Sequence, residues 1–158
     1  MSDETTSATR VRTCLWFEKG GLEAARFYVS LLPDSRMETD WDGPGEPQLV
    51  EFELAGAPFQ ILNGGPHFSQ SEAASILVST SNQTETDRLW HALVADGGRE
   101  SMCGWLKDRW GVSWQIVPDL LPKLLNNDDR AAADRAMQAM LKMNKIDIAT
   151  VERAFRGR

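Results

Sequence analysis

The order Phe59-Gln60-Ile61-Leu62 returns as Trp114-Gln115-Ile116-Val117, 55 positions further on. An aromatic residue, a glutamine and two aliphatics in the same sequence suggest a strand used twice. A duplicated strand constrains the whole chain, because what precedes each copy should also recur. It does. "TCLWF" (13–17) is a short apolar, aromatic run and reads as a strand. Gly20-Gly21 punctuates it, and "LEAARFYVSLL" then places Ala24, Phe27, Tyr28 and Leu31 at helical spacing, with Pro33 ending the helix. "SRMETDW" (35–41) is expected as a strand, and "DGPGEP" (42–47) as a turn. "QLVEFELAG" alternates, with Val50, Phe52 and Leu54 on one face. The chain turns back at residues 55–57, and "PFQILN" pairs with it as a hairpin.

The second half follows the same order. "ASILVST" (74–80) is a strand. "TETDRLWHALVADGG" is a helix with Trp90, Leu93 and Val94 inside and Gly97-Gly98 as its stop. A variable piece, "RESMC", leads to the strands "GWLKDRW" and "VSWQIV" around Gly111. Strand-helix-strand-strand-strand thus occurs twice, over 11–66 and 72–118. Residues 119–158 read as a helical extension of the same domain. "DLLPKLLNN" is a short helical segment. Asn127 or Asp128 is expected to cap "DRAAADRAMQAMLKMN", whose Met137, Met140, Leu141 and Asn144 share a face that reads as core or dimer surface, with an adaptable binding surface as the alternative. Asp147 is expected to cap a last helix bearing Ile148, Val151 and Phe155. Residues 1–10 are polar and read as a disordered tail.

Alternation fixes the direction of the two glutamines. Phe59 and Ile61, like Trp114 and Ile116, are the natural helix-covered side, so Gln60 and Gln115 take the other. Cys14 and Trp16 share that other side by the same argument from the first strand.

Several function classes are disfavoured. The formal net charge is -6, which repels phosphate, so nucleic acid and anionic membrane are not expected as partners. No apolar run is long enough to span a bilayer, and "MSDETTSATR" lacks the apolar stretch of a secretory signal, so a cytoplasmic location is expected. Cys14 and Cys103 are too few for a disulfide framework. His67 and His91 are the only histidines, the first in a loop and the second on a helix beside Trp90, which leaves nucleophilic catalysis poorly supplied with bases. Neither G-x-G-x-x-G nor G-x-x-x-x-G-K-[ST] is present, and no glycine-rich strand-to-helix turn offers a methyl-donor site. No cofactor is expected.

"LNGGPHF", "CGWLKDRWGVSWQIVP" and "AMLKMNKIDIATVERA" closely resemble the PhnB-like family, also labelled 3-demethylubiquinone-9 3-methyltransferase-like, over residues 11 to 156. That family belongs to the glyoxalase, bleomycin-resistance and dioxygenase (vicinal oxygen chelate) superfamily. The resemblance implies an α+β fold, with two β-α-β-β-β modules forming a cupped mixed sheet and helices added at the C-terminus, and a homodimer. In metal-dependent members the first and last strands of each module supply ligands to a divalent ion, the last-strand ligand being a Glu four residues after a turn glycine. Four residues after Gly111 stands Gln115, and its mate is Gln60. The first-strand places fall near Arg12 or Cys14 and at Ser75. Neutral amides, a hydroxyl and a guanidinium or thiol make a poor site for a hard ion, so no metal is expected. What the resemblance implies is a small-molecule-binding protein whose cup holds Gln60, Gln115, Cys14, Trp16, Asn63 and Ser75, the two glutamines close together. The alternative is a divalent-metal-dependent enzyme of glyoxalase or dioxygenase type. The resemblance assigns no catalytic residue, and the methyltransferase label has no support in these residues.

Overall fold

A computed structural model describes residues 9–158. Residues 1–8 of the expected tail lie outside the described residues. The chain divides after Ser69 into two compact units, the second being Gln70–Arg158.

In the first unit β1 (Thr13–Phe17) leads through α1 (Gly21–Leu31) to β2 (Arg36–Met37), β3 (Leu49–Leu54) and β4 (Ala57–Asn63). The sheet order is β1-β4-β3-β2, with β1 parallel to β4 and the other pairs antiparallel. Gly20 adopts φ 85°, a left-handed conformation that glycine enters without steric cost, and turns the chain into α1. Gly21 then lies against β4: a Cβ there would come within 2.5 Å of Ile61 Cγ2. The helix lays Ala24, Ala25 and Tyr28 on the sheet, all fully buried. They meet Val50, Phe52, Leu54, Phe59 and Ile61, the side that alternation assigns to the helix. Phe52 stacks on Phe59 at 5.4 Å between ring centres, and Tyr28 tilts against Phe52 at 6.2 Å. Each such side chain contributes about 1.5–3 kcal/mol on burial.

The second unit repeats the plan. β5 (Ile76–Thr80), α2 (Gln83–Val94), β6 (Arg99–Glu100), β7 (Trp105–Lys107) and β8 (Ser113–Pro118) form the order β5-β8-β7-β6, again with first and last strands parallel. Asn82 caps α2 by accepting from Glu85 N at 2.9 Å, and the Glu85 carboxylate accepts from Ser81 N at 2.7 Å. The Ser81 amide, with the Ser81 hydroxyl donating to the same carboxylate at 2.9 Å, holds the Glu85 carboxyl below its usual range. Leu89, Trp90 and Leu93 face the sheet, while Val94 is only half-buried.

Two expected strands are shorter than their patterns. The one expected over 35–41 is Arg36–Met37 alone, because the amides of Glu38 and Thr39 both donate to Glu51 O and the ladder breaks there. The strand expected over 104–110 is Trp105–Lys107, stopped by Asp108. The buried Asp108 carboxylate accepts from Trp110 N and Val112 N through Oδ1, at 2.9 and 3.0 Å, and from Trp114 Nε1 through Oδ2 at 2.9 Å. A carboxylate folded back on three donors makes a tight turn where a ladder would otherwise continue. Conversely, "RESMC" contains β6.

Three helices complete the second unit: α3 (Leu120–Leu125), α4 (Arg130–Met140) and α5 (Ile148–Arg156). Asp129 caps α4, not Asn127 or Asp128; Asn127 Oδ1 instead accepts from Asp129 N at 3.0 Å. α4 buries Ala132, Ala133 and Ala136 and ends at Met140; Leu141, at its C-cap, keeps a helical conformation and stands 43% exposed. Asn144, also expected on that face, is exposed. Asp147 caps α5 as expected, accepting from Thr150 N at 2.7 Å. Leu121, Ala136, Ile146 and Val151 form the core of this extension. It is tied to α2 through Gln83, which donates to Ile146 O and accepts from Ile148 N. Among the described residues no helix is long and apolar enough to cross a membrane.

Candidate functional site

Each sheet has one side under its helix and one side free of it. In the first unit Cys14 pairs in register with Gln60, and Trp16 with Leu62, all on the helix-free side. Gln60 Nε2 approaches Cys14 Sγ at 3.6 Å, a weak bond because sulfur is a poor acceptor. Trp16 is fixed more firmly. Its Nε1 donates to Gly65 O at 2.9 Å, and its ring lies so close to Gly64 that a Cβ there would sit 2.4 Å from the indole. Phe68 meets it edge-on at 4.8 Å, and His67 stands 6.4 Å away. The "NGGPHF" stretch is thus a flat seat for one tryptophan.

Asn63 does not join this group. It follows Phe59 and Ile61 on the helix side, where its Oδ1 accepts from Gly21 N at 3.0 Å and its Nδ2 donates to Pro47 O at 2.8 Å. Both ends of the amide brace the start of α1. Phe68, 67% exposed beside Trp16, is a site residue that sequence reasoning passed over; an aromatic in a polar loop after two glycines was the available signal.

In the second unit Gln115 Nε2 donates to Ser75 Oγ at 2.9 Å. The register partner of Gln115 is Leu77, so Ser75 stands two places earlier, where the first unit has Arg12. The two glutamines therefore hold matching places with different neighbours. Arg12 is bound by Glu38 at 2.6 Å and reaches Glu51 at 3.6 Å, while Arg36 takes Glu53 at 3.0 Å. Beside Ser113 and Gln115 the second sheet carries Lys107 and Trp105, directly across from them in β7.

These donors do not fit a divalent ion. A hard cation is held by anionic oxygens or imidazoles. Here the matching places offer two amides, a thiol, a hydroxyl, a leucine side chain and a guanidinium, and the nearest carboxylates already neutralise Arg12 and Arg36. Among the described residues no group of three or more His, Cys, Asp or Glu could hold a metal ion.

The chain resembles several solved structures. A PhnB protein from Bacillus cereus is 29% identical, with a TM-score of 0.61, over 70% of this chain and 99% of that one. A Pseudomonas aeruginosa protein shares the fold at 20% identity and a TM-score of 0.55, over 71% and 100%. A glyoxalase-related enzyme from Fulvimarina pelagi follows at 16% identity and a TM-score of 0.49, over 72% and 91%. A comparison with curated proteins gives no match. The family model for 3-demethylubiquinone-9 3-methyltransferase matches residues 9–117, which takes in both β-α-β-β-β modules but not α3, α4 and α5. The stretch "AMLKMNKIDIATVERA" lies outside that match. With both modules and both glutamines inside the matched residues, the chain belongs to the 3-demethylubiquinone-9 3-methyltransferase, or PhnB-like, family.

Proposed function

We propose that this protein binds a small organic molecule on the helix-free sides of its sheets, as a cytoplasmic homodimer and without a metal ion. One observation carries the reading. In each unit a glutamine of the last strand lies on the helix-free side, anchored to a small neutral side chain, Cys14 or Ser75. An amide held this way keeps an oxygen for a ligand, and tryptophans on the same sides, Trp16 and Trp105, supply flat apolar contact. Apolar surface with a few fixed polar groups is the usual build of a small-molecule site. The family's methyltransferase name asks for a methyl-donor site, and the sequence carries no G-x-G-x-x-G turn to make one. A metal-dependent glyoxalase or dioxygenase reaction is the second reading. It is disfavoured by the donor chemistry at Gln60 and Gln115.

The test is a titration of the full chain with neutral aromatic fragments such as phenol and benzamide, followed by ¹⁵N–¹H spectra. The expected result is saturable shifts of the Gln60 and Gln115 side-chain amides and of the Trp16 and Trp105 indole N–H. Shifts confined to other surfaces, or none at all, would overturn the reading. Light scattering at micromolar concentration tests the dimer, and a monomer there would contradict it.

A further inference from the structure

Across the second sheet, Ser113 in β8 stands opposite Lys107 in β7, and Lys107 opposite Arg99 in β6. Ser113 is 2% exposed, and its Oγ has no hydrogen-bond partner among the described residues. Burying a hydroxyl without a partner is unfavourable, and native sheets rarely leave one so. Gln115, on the same side, spends its Nε2 on Ser75, while its Oε1 accepts from no described residue.

Lys107 is occupied, but by a group that can leave. Its Nζ holds Glu72 Oε1 at 2.9 Å; the lysine side chain is 25% exposed and the glutamate 68%. Glu72 lies outside every helix and strand. The hydrogen bond from Lys107 is the main cause holding its carboxyl below the usual range, and the charge of Arg99 adds a smaller share. The less exposed partner is therefore the cation, and the more exposed partner is the carboxylate. An exposed ion pair of this kind is weak and exchangeable.

We infer that Lys107, Arg99 and Ser113 form a binding site for the carboxylate of a small organic acid, a place that Glu72 fills until the ligand displaces it. Glu72 is itself the stand-in: it shows that a carboxylate fits against Lys107. Glu72 does not reach Ser113; a ligand carboxylate set deeper than Glu72 gives that hydroxyl its missing partner, and Trp105 and Gln115 receive the body of the ligand. The first sheet offers no such place, since Arg12 is already clasped by Glu38 and Glu51. This inference rests on the small-molecule reading above and adds the charge of the ligand.

The experiment compares benzoate with benzamide, which have the same shape and differ in charge, on the full chain by ¹⁵N–¹H titration. Benzoate binds more tightly than benzamide and shifts the Ser113 and Lys107 amides and the Trp105 indole. Glu72→Gln removes the internal competitor and tightens benzoate by about threefold to fivefold. Lys107→Met abolishes the advantage of benzoate over benzamide. Glu72→Gln alters an exposed side chain, so it reads the site even if Lys107→Met fails to fold. If benzamide shifts the Gln115 and Trp105 side chains but benzoate gains nothing over it, this inference falls and the small-molecule reading stands. If neither probe touches this side of the sheet, both fall. Equal benzoate binding in wild type and Lys107→Met would also overturn the inference.

Discussion

The two units repeat one plan and spend its helix-free side differently. In the first, Gln60 leans on a thiol, and the flanking cations are taken up by Glu38, Glu51 and Glu53. In the second, Gln115 makes a short bond to Ser75, and among the described residues Ser113 keeps an unmatched hydroxyl and Lys107 is paired with an exposed glutamate. Duplication thus preserved what the core requires: the apolar alternation, the parallel pairing of first and last strands, and the place of the glutamine. The free side, which the core does not constrain, diverged. The first unit uses it for ion pairs and the second leaves polar groups unspent.

The largest effects should come from the residues that shape each free side. Asp108→Ala strips a buried turn of three hydrogen bonds to a carboxylate and should cost the second unit about 3 kcal/mol. Its counterpart is Gly64→Ala, which drives a methyl into the Trp16 indole and should cost the first unit about 1–3 kcal/mol. Urea melts measure both, and hydrogen exchange assigns each loss to its unit. Loss spread evenly over both units would break the comparison.

A smaller effect separates the glutamines themselves. Gln115→Ala gives up a 2.9 Å bond to a hydroxyl and should cost about 1 kcal/mol. Gln60→Ala gives up only a 3.6 Å contact to sulfur and should cost less, about 0.5 kcal/mol at most. Equal losses, or a larger loss at Gln60, would mean that the two places are not held as differently as their neighbours indicate.

Much of this was legible in the chain. The period-two pattern of Val50, Phe52 and Leu54 and the paired glutamine strands were enough to order the elements and to choose the face of Gln60, Gln115, Cys14 and Trp16. What was not legible depended on side chains that bond to backbone. Nothing in the run "GWLKDRW" shows that Asp108 turns its carboxylate onto Trp110, Val112 and Trp114 and so ends the strand early. Asn63 looked like a neighbour of Gln60 because it lies in the same strand. It is an odd number of positions away, which puts it under the helix, where it braces Gly21. Lys107, Ser113 and Glu72 went unnoticed because their meeting depends on register between strands, and periodicity within one strand carries no such information.

The smallest expected effect is acid sensitivity of the second unit. The carboxyls of Glu85, Glu100 and Asp147 lie below their ordinary ranges, held chiefly by Ser81 N–H, by the Trp90 indole N–H and by Thr150 respectively. A carboxyl depressed in the folded state stabilises it above the unfolded-state value, and that contribution is lost as pH falls through the folded value. Hydrogen exchange in α2 and α5 should therefore speed up as pH drops below the ordinary carboxylate range of about 4, after correction for the intrinsic exchange rate. The effect is small, because these groups are largely solvated.

Under the proposed function, Gln60 and Gln115 mark an organic-ligand surface and not a divalent metal centre. Thermal unfolding of chelator-stripped protein with Mn²⁺, Fe²⁺, Ni²⁺ and Zn²⁺ added one at a time, on wild type and Gln115→Ala, tests this most directly. No ion is expected to raise the wild-type Tm, and Gln115→Ala is expected to respond in the same way. A stoichiometric ion that raises the Tm of the wild type, and loses that effect in Gln115→Ala, would contradict it.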